Sequence, residues 1–280
     1  MPPFSIHPIP ASVQHTPFDL LAILHNAFEQ AGQQPQNGDI VAVSSKYVAI
    51  SEGRVVRLAD VAVSSAARAL AERYRMDAAL AQLVLDEADH IFGGISLGFL
   101  LTYRQGVISP NAGIDRSNIP AGMAVLLPAD GYASARRLRQ GLQALYGVAL
   151  GVLLTDSWLM PGRLGTTGVA VGMDGFQPIQ DERGKLDLFG NPMAVTQRGM
   201  ADALCSAAQL VMGERDEAIP CALLRGAPVR LSDEPLGPED VAIDWDLCLY
   251  VESLTLGLLE DGAPRQSRSA SLRKARPNGV

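Results

Sequence analysis

Three carboxylates stand where a chain could put them to chemical use. Asp115 lies in the loop-like run Ser109 to Asn118, Asp156 at the end of an apolar strand candidate, and Glu214 just past a helix stop. Hard divalent cations such as Mg²⁺ or Mn²⁺ take carboxylate and hydroxyl oxygens and leave room for substrate phosphates, so these acids read as a metal-binding set, with the Ser157 hydroxyl as a further oxygen. A cation is also favoured at the negative end of the helix that Glu214 follows. Taken singly, each acid is more simply a turn or cap residue. Ser44, Ser45 and Lys46 close another strand-like run and offer hydroxyls and an ammonium to phosphate. Asn118 can hydrogen-bond a base or ribose, while Lys46 reads equally well as a solvated loop lysine.

Other chemistries find no support in the spacing. The sequence has no G-x-x-x-x-G-K-[ST] element, so a nucleotide site would not be a P-loop. His7, His15, His25 and His90 show no HExxH pairing, and no GxSxG marks a serine hydrolase. Cys205, Cys221 and Cys248 are odd in number and lack CxxC spacing, which fits reduced, buried thiols rather than zinc or a disulfide framework.

The elements that must position these residues read as α/β, mixed sheets covered by helices. Strand candidates run Phe4 to Ile9, Asp39 to Ser45, Met123 to Leu127, Val148 to Leu154, Ala222 to Leu224 and Leu247 to Val251. A further β-rich run follows Glu52-Gly53-Arg54. Helical spacing covers Phe18 to Ala31, Ser64 to Ala88 with a break near Met76-Asp77, Ser134 to Tyr146 with Arg136, Arg137 and Arg139 on its exposed side, and Thr196 to Met212, stopped by Gly213. Gly162, Gly165, Gly168, Gly172 and Gly175 are too openly spaced for a dinucleotide turn, but suit a chain passing close to a ligand or another backbone.

With 280 residues, 48% of them hydrophobic, the chain can bury one large core over 1–260, or those of two intimate subdomains. Residues 261–280 carry Arg265, Arg268, Arg273, Lys274 and Arg276 without an acid and read as a basic, disordered tail. The net charge of −7 argues against a nucleic-acid footprint. Neither a membrane span nor a signal pattern is present, so the expected place is the cytoplasm.

Several motifs in fixed order carry a resemblance. Asn111-Ala-Gly-Ile-Asp115-Arg-Ser-Asn118, Thr155-Asp-Ser157, Gly165-Thr-Thr-Gly168-Val-Ala-Val-Gly172, Asp187-Leu-Phe-Gly190, Ala201-Asp202 and Leu210-Val-Met-Gly213-Glu214 together resemble the coenzyme F420-0:L-glutamate ligase family, CofE, over roughly residues 4 to 227. The resemblance implies the α/β fold of that family, an intertwined homodimer, and GTP-dependent attachment of L-glutamate to the carboxylate of F420-0 through an acyl phosphate. Two divalent metals, Mg²⁺ or Mn²⁺, would take part, with a monovalent ion such as K⁺ assisting. By the same match Asp115, Asp156, Ser157 and Glu214 fall on metal positions, Asp115 and Asp156 carrying catalysis. Ser45, Lys46, Asn118, Met212 and Gly213 fall on nucleotide positions.

Three stretches depart from the family pattern. Ile50 stands where a lysine is usual before Glu52-Gly53-Arg54, Trp158 to Gly162 replace a glycine and an arginine, and Pro8 to Ser12 lack a glycine-leucine-proline turn. These bear on nucleotide and acceptor more than on fold. They leave two rivals: ligation to a folate or another acceptor, and a homologue that binds nucleotide or protein without turnover.

Overall fold

The run Ile40-Val-Ala-Val43 has every side chain out of water, the mark of a strand covered on both faces. In the computed structural model, which describes residues 3–244 and 247–256, it forms β2 (Ile40–Ser44) at the centre of a five-stranded sheet. The order is β1 (Ser5–Ile9), β12 (Cys221–Arg225), β2, β8 (Gly151–Leu159) and β9 (Thr166–Asp174). Only β2 and β8 run parallel, and Ser44 lies level with Thr155.

Alternation along these strands sorts the core into two layers. Val41, Val43, Val152, Leu154 and Leu223 meet α1 (Leu20–Ala31) and α5 (Gly131–Tyr146) on one face. Ile40, Ala42, Leu153 and Leu224 meet α6 (Met200–Met212) on the other. Burying a Leu or Phe side chain is worth about 1.5–3 kcal/mol, and Leu24, Phe28 and Leu142, all at 0% exposure, seat α1 and α5 against the sheet. The helices begin on side-chain caps: Asp19 accepts from Ala22 N and Asp130 from Ala133 N. Gly168 and Gly172 let β9 pass between α6 and α5, because a Cβ at either would collide with backbone, at Cys205 and Gly131 respectively.

The long crossover between β2 and β8 carries the rest of the scaffold. α2 (Ser45–Ser51) leads to β3 (Val55–Arg57), then α3 (Ser65–Tyr74) and α4 (Ala78–Glu87). A three-stranded meander follows, β4 (His90–Ile95), β5 (Phe99–Arg104) and β6 (Val107–Pro110), and then β7 (Met123–Val125), which pairs with β3. Arg54 and Arg104 share Glu87 and donate to Leu127 O and Pro128 O, fixing the chain that leaves β7. Beyond β9, β10 (Ile179–Asp181) pairs with β11 (Gln197–Gly199), and α7 (Leu249–Leu256) is the last element described.

Several expectations are corrected. Leu247 to Val251 is not a strand: Leu249 opens α7. The helix expected from Thr196 starts at Met200, because residues 197–199 pair as β11. Arg139 is buried, not exposed, since Asp174 (2.5 Å) and Asp233 (2.8 Å) neutralise its guanidinium. Ser45 and Lys46 begin a helix rather than close a strand. Asp156 sits inside β8, where pairing with β9 continues to Leu159. The basic segment 261–280 lies outside the described residues.

Candidate active site

The parallel contact of β2 with β8 brings the end of one strand beside the acid of the other. The chain leaving β2 enters α2 at Ser45, whose buried hydroxyl reaches the Asp156 carboxyl. A register shift between Leu154 and Thr155 re-aims β8 at this point. Burial pushes the Asp156 carboxyl up and Asp115 adds repulsion, while the Ser157 N–H, the Ser45 hydroxyl and Lys46 pull it down; the balance lies at about 6.

Asp115 is paired with the same lysine. Its backbone is pinned to β7 by two hydrogen bonds with Val125, at 2.9 and 2.8 Å. Its carboxylate meets Lys46 Nζ at 2.5 Å and accepts from Ser117 N (2.7 Å) and Ser117 Oγ (3.0 Å). Burial opposes ionisation of Asp115, but these partners outweigh it and hold the carboxyl below its ordinary range. The chain arrives from β6 through Asn111, Ala112 and Gly113, all left-handed, with φ of 49°, 56° and 71°. For an L-residue that conformation costs ~1–2 kcal/mol, so something must hold it there.

Glu214 follows α6 across Gly213, whose φ of 73° turns the chain away from the helix. Its carboxylate accepts from Ser157 Oγ (2.8 and 2.9 Å), from Thr166 Oγ1 (3.2 Å) and from the Gln209 amide. Asn118 Nδ2 donates to Arg215 O at 2.5 Å, joining the loop after Asp115 to the loop after Glu214. Met212 packs into the core beside Ala208 and also faces the cleft.

One cleft of about 780 Å³ collects Lys46, Asp115, Asn118, Asp156, Ser157, Met212, Gly213 and Glu214. That volume lies in the range of small-molecule sites, ~300–1,000 Å³. Ser45 is at 1% exposure and lies beneath the cleft rather than on its surface. Residues that sequence reasoning missed include Thr166 and Gln209, the partners of Glu214, and Val13, Phe99 and Leu159, which line the same space. Thr166 had a signal in the Gly165-Thr-Thr-Gly168 motif, but Phe99 had none. Among the departures, Ile50 and Leu159 line the cleft, while the Trp158 indole donates to Ile108 O at 2.7 Å. Glu52 and Arg54 are scaffold: Glu52 accepts from Ser134 Oγ and Arg137, and Arg54, just before β3, grips Glu87.

The cleft is acidic. Asp115, Asp156, Glu214, Asp216 and Glu217 line it against Lys46 and Arg215, so an anion would enter with cations. The oxygen donors suit a hard divalent ion, and Asp115 and Asp156 repel one another in a way that a cation relieves. Among the described residues, no three His, Cys, Asp or Glu side chains are grouped to hold one ion. A cation here would draw on one or two carboxylates, with hydroxyl, water or substrate oxygens completing its shell.

Comparison with known proteins gives the family. The family model described as F420-0:Gamma-glutamyl ligase matches residues 12–226. Proteins named coenzyme F420:L-glutamate ligase are similar over most of the chain. The one from Methanopyrus kandleri is 38% identical over 227 residues, 81% of this chain and 88% of the relative. Those from Methanothermobacter thermautotrophicus and Methanocaldococcus jannaschii are 36% and 35% identical, covering 75% and 73% of this chain and 83% and 82% of theirs. No helix among the described residues is long and apolar enough to cross a membrane.

Proposed function

The chain belongs to the F420-0:gamma-glutamyl ligase family, and from that premise we propose that it joins L-glutamate in amide linkage to the carboxylate of F420-0, drawing on GTP. The observation that carries this reading is the gathering of Lys46, Asp115, Asp156, Ser157 and Glu214 on one cleft of small-molecule size.

A carboxylate is a poor acyl donor, so the reaction needs phosphoryl transfer to it before the amine attacks, and such transfer depends on position and charge neutralisation. Divalent cations held by Asp115, Asp156, Ser157 and Glu214 would supply that neutralisation. Lys46 tethers the Asp115 loop through its bonds to Asp115 and Ser117 O (3.1 Å), leaving its ammonium at the cleft wall to meet phosphate oxygen. Ser45 holds the Asp156 carboxyl from below. Asn118 and the Met212-Gly213 turn border the same side and would contact the nucleotide. The amine of glutamate would then displace phosphate from the acyl phosphate, forming the amide. No side chain is assigned as general base.

A homodimer forms part of this reading. The β4–β5 hairpin exposes Leu97 and Leu101, and the turn after β10 exposes Leu188 and Phe189 at 99% and 90%. Such apolar surface is suited to burial against a second copy.

The test is phosphate release by purified protein given GTP, Mn²⁺ or Mg²⁺, and glutamate, with and without acceptor. Release only with F420-0 is expected. Release with tetrahydrofolate instead would move the acceptor to a folate, and nucleotide binding without turnover on either would leave a non-catalytic homologue.

A further inference from the structure

The left-handed turn that delivers Asp115 is held from beneath by two buried polar side chains outside the cleft. Thr102 on β5, at 0% exposure, donates its hydroxyl to Ser109 O (2.7 Å) and accepts from Ala112 N (2.8 Å). Asn111, also buried, accepts from Leu100 N at 2.8 Å and donates from its amide to Gly98 O at 3.3 Å. The Asn111 carbonyl accepts from Ile114 N at 3.0 Å, and the next residue is Asp115, pinned to Val125. Gly113 is closed against Leu127, whose methyl groups would collide with any Cβ there. The side-chain bonds to Ala112 N, Leu100 N and Gly98 O tie the turn to β5 and its hairpin rather than extend a regular element.

The geometry points to Thr102 and Asn111 as positioning residues for Asp115, through which β5 sets where that carboxylate stands and how tightly the cleft holds a divalent cation. This rests on the reading of Asp115 as a cation ligand. A turn of three left-handed residues, two of them not glycine, relaxes toward right-handed or extended backbone once its restraints go. Because Asp115 follows within two residues, its carboxylate moves with the turn. Small divalent ions tolerate little such movement, since they demand near-ideal oxygen geometry. The hydroxyl and the amide each donate once and accept once in these bonds, so their removal leaves buried backbone groups unpaired and favours rearrangement.

Mn²⁺ alone, titrated into the full chain and followed by the paramagnetic resonance of the free ion, reads affinity without turnover. Thr102→Val keeps the shape and deletes both hydroxyl bonds, whereas Thr102→Ser keeps them. Asn111→Gly permits left-handed backbone but deletes both side-chain bonds. The expected result is Mn²⁺ binding weakened about tenfold in Thr102→Val and Asn111→Gly and within about twofold of wild type in Thr102→Ser. Thermal unfolding identifies which variants are folded at the temperature of titration. Unchanged affinity in whichever of Thr102→Val and Asn111→Gly is folded overturns the positioning role. Asp115→Asn separates that failure from failure of the reading beneath it. If Asp115→Asn leaves Mn²⁺ affinity unchanged, Asp115 is no ligand and both fall; if it weakens binding while Thr102→Val does not, the positioning role alone falls.

Discussion

Asp156→Asn is expected to make the metal-free protein more stable and, at the same time, inactive. The Asp156 carboxyl titrates at about 6 in the fold because burial, with Asp115 nearby, disfavours its charged form; in the unfolded chain it titrates near ~3.9. At ~1.36 kcal/mol per pKa unit, the ionised form costs the folded state about 3 kcal/mol at neutral pH. The sign follows from proton binding. Between about pH 4 and about pH 6 the folded chain binds this proton more tightly than the unfolded chain, so stability from this group falls as pH rises through that window. The figure is a ceiling, because Asn keeps only one oxygen for the Ser157 N–H and the Ser45 hydroxyl. A ΔΔG of that size raises Tm by roughly 5–10 °C in a chain this long. Thermal melts in chelator should therefore show the variant ahead of wild type at pH 8, with only about a third of that gain left at pH 4.5. An equal difference at both pH values, or no gain at pH 8, would refute the electrostatic origin of the strain.

Three further outcomes follow from the same geometry. Mn²⁺ affinity should weaken as pH falls below about 6, by up to about tenfold per pH unit, because Asp156 must lose its proton to bind; titrations at pH 7.5, 6.0 and 5.0 measure this. Lys46→Ala leaves Asp115 partly buried without its cation, and should lower stability by about 1–2 kcal/mol while raising the KM for nucleotide by about tenfold or more. Denaturant melts and initial rates separate the two effects. Gly168→Ala should destabilise by about 1–3 kcal/mol, since its Cβ meets the α6 backbone at Cys205 and that helix cannot retreat without opening the core around Ala208.

Local chemistry made much of this fold legible. The break between α3 and α4 follows from Asp77, whose carboxylate caps the second helix at Leu80 N, and Gly213 ends α6 where its position says it should. What escaped was non-local. Asp156 looked like a strand end because the apolar run stops at Leu154, but β9 supplies ladder partners that keep β8 going to Leu159. Arg139 looked solvated because its neutralising acids, Asp174 and Asp233, lie 35 and 94 residues away. The short apolar run at Leu249 carries no periodicity long enough to separate strand from helix, and the seven residues of α2 are likewise too few. The acids of the site stood out by position, at a loop, a strand end and a helix stop, and then by motif order; their convergence depends on β2 lying parallel to β8 and on the turn at Asn111, which no window of sequence displays.

The most direct test of glutamate ligation is the mass of the product. Incubating the protein with GTP, Mn²⁺, ¹⁵N-labelled L-glutamate and F420-0, then resolving the acceptor by liquid chromatography and mass spectrometry, should show F420-0 gaining labelled glutamyl residues with GDP and phosphate in equal amounts. The Asp156→Asn protein should leave the acceptor unchanged. Unaltered F420-0 after incubation with folded wild-type protein, or glutamylation that proceeds without GTP, would contradict the account.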